Sequence, residues 1–147
     1  MVYWGLENKD TDKNDNDQVT IKGSHIYFYS EFTRPMCLEL NNKITELDYK
    51  LQVQALDLDL DTLPTITLHI NSYGGYVDAC MSSIDTIIDT KCDVHTIVEG
   101  VAASCGTLMS VVGNKRSIKS NAKMLIHQLS GGASGKYADL KDDMINT

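Results

Sequence analysis

From Ile21 to Tyr29 apolar and polar positions alternate, Ile26 and Phe28 against His25, Tyr27 and Tyr29, which predicts a strand. The period then lengthens. Met36, Leu40, Ile44, Leu47, Leu51, Ala55 and Leu58 recur every three or four residues, the stripe of an amphipathic helix. Pro35 suits the first turn of that helix, where a missing N–H does no harm. The acidic run Asp57-Leu58-Asp59-Leu60-Asp61 closes it, and Pro64 bars its continuation. Alternation returns from Thr65 to Ile70, with Ile66, Leu68 and Ile70 on one face, and runs into the glycine-bearing turn Asn71-Ser72-Tyr73-Gly74-Gly75. A second helix is predicted from about Val77 to Thr90, its stripe Val77, Cys80, Met81, Ile84, Ile87 and Ile88. Val94, Thr96 and Val98 mark a strand over Val94 to Glu99, and Thr107 to Val112 reads as a buried helix. Beyond Gly113 come a basic turn (Lys115, Arg116), short strands around Ile118 and from Met124 to His127, and a flexible loop from Ser130 to Gly135. The closing helical register is Tyr137, Leu140 and Met144.

Strands alternating with helices imply an α/β architecture whose parallel strands are joined by crossovers. At 147 residues the chain is expected to hold one domain with a real core. Residues 1–20 are polar and acid-rich and are expected to form a mobile arm ahead of a domain over 21–147. The arm faintly resembles a calcium loop, but Asp15 and Ile21 stand where that loop needs glycine and glutamate. Asp57, Asp59 and Asp61 are read as a solvated helix end rather than a cation site.

Composition narrows the function. Lys and Arg number 13 against 20 Asp and Glu, a net charge of −7, which excludes a general nucleic-acid binder. No apolar run approaches a membrane span, and the start lacks the basic and apolar parts of a secretory signal. A soluble cytoplasmic protein is expected. Cys37, Cys80, Cys92 and Cys105 form no C-x-x-C pair and are read as free thiols of a reducing compartment. His25, His69, His95 and His127 show no metal-ligand spacing, and no cofactor is expected.

The chemistry concentrates in Gly100-Val101-Ala102-Ala103-Ser104-Cys105-Gly106, a serine among small residues between a strand and a helix. Only Ala102 departs from the G-x-S-x-G pattern, and the helix N-terminus turns N–H groups toward developing negative charge. Acyl transfer needs a nucleophile, a base and oxyanion donors. Ser104 is the candidate nucleophile, and His127, at a strand end beside a glycine-rich loop, the candidate base. The backbone N–H groups of Cys105 and Gly75 are the candidate oxyanion donors. Taken singly, Ser104 also suits a helix N-cap, His127 a strand-end histidine bonded to backbone, and Gly74-Gly75 a plain turn.

Three blocks in order carry a resemblance: Ile70-Asn71-Ser72-Tyr73-Gly74-Gly75, the Gly100–Gly106 block, and Met124-Leu125-Ile126-His127-Gln128. From about Ile21 to the end the chain resembles the Clp protease proteolytic subunit (ClpP) family. The resemblance implies an ATP-dependent serine endopeptidase with a ClpP/crotonase-like α/β fold, repeated β-β-α units and a protruding handle helix beginning at the Gly131–Gly135 loop. It implies Ser104 as nucleophile, His127 as general base and the Gly75 and Cys105 N–H groups as oxyanion hole. It also implies a homo-oligomer of two stacked seven-membered rings, fed unfolded protein by an AAA+ unfoldase.

There are departures. The family's catalytic aspartate would lie past Thr147, so the chain is expected to be C-terminally truncated, and Asp139, Asp142 and Asp143 of the handle helix are poor substitutes. Tyr73 stands where the family has proline. Thr67 and His69 stand where tyrosines line the unfoldase docking pocket, and Asp89 replaces an aromatic. Two other readings therefore remain open: a catalytically incomplete ring-forming or scaffold subunit of a Clp-like complex, and a crotonase-type acyl-CoA enzyme.

Overall fold

The computed structural model describes residues 18–127. The polar arm up to Asp17, the glycine-rich loop and the closing helix of the handle lie outside the described residues. Six strands form one sheet, β1 (Gln18–Lys22), β2 (His25–Tyr29), β3 (Ile66–Ser72), β4 (Val94–Ala103), β5 (Lys115–Ile118) and β6 (Lys123–Leu125). The sheet runs β1-β2-β3-β4-β5, with β6 also pairing with β4. Among the described residues only β1 and β2 pair antiparallel, and every other pair is parallel. Among the described residues three helices make the crossovers, α1 (Arg34–Asp57), α2 (Val77–Asp89) and α3 (Cys105–Ser110). The architecture is the expected α/β fold.

One face of the sheet forms the core. Ile26 and Phe28, Ile66, Leu68 and Ile70, and Val94, Thr96 and Val98 are all buried and alternate with residues facing the other way. Fully burying such an apolar side chain contributes about 1.5–3 kcal/mol, so a one-residue slip that turned them outward is strongly disfavoured. The long helix lays Cys37, Leu40, Ile44, Leu47 and Leu51 on this core and buries Ala55 as well.

Boundary chemistry explains the ends of α1. Thr33 caps its start, the side chain accepting the Met36 N–H at 3.3 Å. Its end is a Schellman turn with Asp59 in the left-handed region at φ 50°. There Leu60 N–H donates to Ala55 O (2.9 Å) and Asp59 N–H to Leu56 O (3.2 Å). The stop precedes Pro64 and owes nothing to it. Leu58, counted in the helical stripe, is 60% exposed at the C-cap.

Several sequence expectations are corrected. The strand foreseen over Ile21–Tyr29 is a hairpin turning at Gly23, and its first arm begins at Gln18, inside the segment read as mobile arm. Asn71 and Ser72 belong to β3, paired with Tyr29 and Ala102, and Gly100–Ala103 belong to β4, where Val101–Ala103 pair with β6. Lys115 and Arg116 open β5 rather than forming a turn. α3 starts at Cys105, not Thr107. In α2, Met81 and Ile88 face outward (44% and 64% exposed), while Ala79 and Ser83 are buried.

One buried carboxylate ties α1 to the loop before β4. Asp48 accepts the Cys92 N–H at 2.8 Å, the Lys91 N–H at 3.1 Å and the Gln52 amide at 2.9 Å. A hydrogen bond to a charged acceptor contributes about 1.5–3 kcal/mol, and removing the carboxylate leaves two backbone donors without it. Asp48→Ala is expected to lower unfolding free energy by about 2–4 kcal/mol in a urea titration. A change below about 0.5 kcal/mol would mean the loop holds without it.

Candidate active site

Ser104 follows β4 and stands at the start of α3, in a conformation that L-residues rarely adopt, φ 53° and ψ −117°. Holding a non-glycine residue there costs of order 1–3 kcal/mol, so the surrounding structure must impose it. Ser104 occupies the N-cap position, yet its side chain makes no capping hydrogen bond. The helix is started instead by its carbonyl, which accepts the Thr107 N–H (3.0 Å) and the Leu108 N–H (3.2 Å). Among the described residues the hydroxyl therefore has no structural hydrogen bond, and it lies in a half-buried turn.

The paired glycines lie against this turn. A Cβ on Gly74 would come 2.8 Å from the Ser104 Cβ and 3.1 Å from the Ala103 carbonyl oxygen, so only glycine lets the two turns meet. The Gly74 N–H donates to the Ser72 hydroxyl at 3.1 Å. Gly75 is held by a parallel bridge to Phe32, in which Phe32 N–H donates to Gly74 O (2.9 Å) and Tyr76 N–H to Phe32 O (2.8 Å). Among the described residues, neither the Gly75 nor the Cys105 N–H has an acceptor. The Cys105 thiol lies 3.5 Å from Gly75 O and donates to it, linking the two candidate donors.

The third block arrives on β6. The register pairs Ala102 with Met124 and Ala103 with Leu125, and the Ser104 N–H donates to Leu125 O at 3.3 Å. His127 follows two residues later and is exposed. All four residues named from sequence thus fall at one end of the parallel strands: Ser104, Gly75 and Cys105 in touching turns, His127 at the end of the strand bonded to the serine. β6 is shorter than the strand expected from Met124 to His127, spanning Lys123–Leu125. Its Met124 and Leu125 are 40% and 54% exposed, and Ile126, which follows, is 83% exposed.

The four cysteines are free and buried. Burial pushes the Cys37 and Cys80 thiols up, and the Cys92 thiol up to about 12, aided there by Asp48. These three stay protonated near neutrality and are poor nucleophiles.

Sequence reading missed the role of Phe32, which works through its backbone, and a polar chain across the sheet's other face. His25 Nδ1 and His69 Nε2 lie 2.9 Å apart, and His69 Nδ1 lies 2.7 Å from Glu99 Oε1. The Tyr29 hydroxyl donates to Glu99 Oε2 at 2.6 Å, while Tyr27 stacks on His69 at 4.2 Å. With Glu99 ionised, His69 Nδ1 carries the proton and donates. No local pattern announces this chain, because the pairing of Tyr27 with His69 is a matter of strand register.

Its electrostatics are testable. The hydrogen bond to Glu99, then burial and the carboxylate's charge, push the Tyr29 phenol up to about 12. Burial alone would raise Glu99, but the bonds from Tyr29 and His69, with Lys119 nearby, hold it below the usual carboxylate range. The Tyr29 contribution to stability is therefore full below the free phenol value near 10 and lost as pH rises through about 12. The Glu99 contribution is present above the free carboxyl value and lost as pH falls through the lowered one. Ultraviolet titration is expected to show one tyrosine ionising late, and Glu99→Gln to return it toward its fellows. Identical curves for both proteins would remove the Glu99 bond as the cause.

Among the described residues no group of His, Cys, Asp or Glu is arranged to hold a metal, and no helix is long and apolar enough to cross a membrane. Compared with known proteins, residues 21–146 match the family model described as Clp protease. An ATP-dependent Clp protease proteolytic subunit of Streptococcus mutans serotype c is 38% identical over 123 residues, which cover 80% of this chain and 63% of that protein. The protein of the same description from Streptococcus sanguinis is 38% identical over 121 residues, 79% of this chain and 62% of that one. That of Streptococcus agalactiae serotype V is 36% identical over 123 residues, with 80% and 63% covered. The chain spans under two thirds of the length of these curated relatives.

Proposed function

We propose, since this chain belongs to the Clp protease family, that it is a serine endopeptidase acting on unfolded polypeptides. The Ser104 hydroxyl attacks the scissile carbonyl and its proton passes to His127. The carbonyl oxygen becomes an oxyanion and takes hydrogen bonds from the Gly75 and Cys105 N–H groups. Collapse breaks the C–N bond, His127 returns the proton to the leaving amine, and water activated by His127 hydrolyses the acyl-enzyme. The observation that carries this reading is the Ser104 turn: a strained serine with no capping role, packed against Gly74 and bonded through its N–H to the strand that leads to His127.

The relatives are described as proteolytic subunits of an ATP-dependent Clp protease; the wider assembly proposed with this reading is stacked homo-oligomeric rings fed by an AAA+ unfoldase in a cytoplasmic setting. A second reading, a ring-forming subunit without its own catalysis, draws on the polar chain of His25, His69 and Glu99, since His69 stands where the resemblance expects a docking aromatic. One experiment separates the two. The peptidase reading predicts that the purified protein hydrolyses a short fluorogenic peptide without nucleotide. A folded protein that leaves the peptide intact, and co-purifies with a second subunit that cleaves it, would favour the scaffold.

A further inference from the structure

We propose that Thr107 is a positioning residue whose hydroxyl ties the nucleophile turn to the strand delivering His127; this rests on the serine peptidase reading above. Among the described residues, little apolar packing holds β6 in place. Met124 and Leu125 are 40% and 54% exposed, and Ile126, which follows, is 83% exposed. Hydrogen bonds must therefore fix where the strand ends and His127 begins.

Two donors meet at the last carbonyl of that strand. Leu125 O accepts the Ser104 N–H at 3.3 Å, a long bond, and the Thr107 hydroxyl lies closer, at 3.0 Å. The same hydroxyl lies 2.9 Å from Ala102 O, so one proton is shared between two carbonyls. Ala102 sits two residues before Ser104, and Leu125 two residues before His127. A single hydroxyl thus spans the two segments that carry the nucleophile and the base. Thr107 is itself well placed to act as a fixed point: it is 8% exposed, and its N–H donates to Ser104 O at 3.0 Å. Valine has nearly the same shape but offers neither carbonyl a proton. A misplacement of about 1 Å between reacting groups can lower a rate by about 10²-fold.

The test compares the full chain with Thr107→Val and Thr107→Ser in steady-state hydrolysis of a fluorogenic peptide, with a thermal melt on each. T107V is expected to lower kcat by about 10- to 100-fold while KM changes little, and T107S to recover most of the loss. A purely structural role would shift the melt of T107V without this kcat-specific loss. Should T107V fail to fold, Thr107→Ala removes the same hydroxyl without added bulk and is read in its place. The inference is overturned if the hydroxyl-free variant matches the parent, if T107S is as slow as T107V, or if only KM moves. Absence of hydrolysis by the parent protein would instead overturn the peptidase reading, and this inference with it.

Discussion

Replacing Ser104 with alanine lowers peptide turnover by about 10⁴–10⁶-fold and leaves thermal stability essentially where it was. The two halves of that expectation have different causes. Turnover falls because alanine has no oxygen to form the acyl-enzyme, and what remains is the residual rate that binding and oxyanion donors give to water attack. Stability holds because the hydroxyl takes part in no capping bond and the Cβ, the carbonyl and the N–H are all retained. The backbone strain at φ 53° is the same for serine and alanine, so it cancels in the comparison. The measurement is the kcat of parent and variant on one fluorogenic peptide, with a melting curve on each. A variant that keeps even a tenth of the parent turnover would remove Ser104 from the chemistry. A variant that loses turnover and also melts far earlier would mean the serine is structural.

Gly75→Ala is expected to act on both rate and fold, which sets it apart. The added methyl would lie 2.6 Å from the Phe32 carbonyl oxygen and 2.7 Å from the Phe32 nitrogen. Both are backbone atoms, so no side chain can swing aside. The position also sits at φ 149°, where an L-residue is strained. The two bonds of the Phe32 bridge must lengthen, and a loss of about 2–5 kcal/mol in stability follows from strain, clash and weakened hydrogen bonds together. Moving this peptide also moves the proposed donor. Removing one oxyanion donor in other enzymes lowers kcat by about 10²–10³-fold, and a comparable loss is expected here per folded molecule. Turnover normalised to the folded fraction from a urea titration checks it. Unchanged normalised turnover would take Gly75 out of the oxyanion hole while leaving its structural role intact.

What the sequence disclosed and what it hid divide by the range of the forces involved. The stripe from Leu40 to Ala55 and the alternation of Ile66, Leu68 and Ile70 are local patterns, and they fold as they read. Asn71 and Ser72 have weak strand propensity, but neighbouring strands supply partners that override it, Tyr29 of β2 and Ala102 of β4, and Gly100 falls in the irregularity between the two registers of β3 and β4. The edge strand from Lys115 to Ile118 is exposed throughout, so no apolar face announces it. In α2 the helix packs through Ala79 and Ser83, small residues that permit close approach, and leaves Met81 and Ile88 outside; hydropathy ranks them the other way. The site follows the same division. Ser104, Cys105, Gly75 and His127 stand in short motifs and were legible as candidates. Phe32 holds Gly75 through backbone atoms, and Thr107 joins carbonyls 23 positions apart in the chain, Ala102 and Leu125. Neither has a signature that side-chain type alone could reveal. The Schellman turn at Asp59 was hidden for another reason, since aspartate takes a left-handed position usually given to glycine.

The most direct measurement is covalent labelling of the purified protein with a fluorophosphonate, followed by intact mass and digestion to locate the adduct. A serine activated by His127 reacts, so one adduct per chain is expected, on Ser104, and none on the Ser104→Ala variant. A folded protein that stays unlabelled, or that carries its adduct on another serine, would contradict the assignment of Ser104 as the nucleophile.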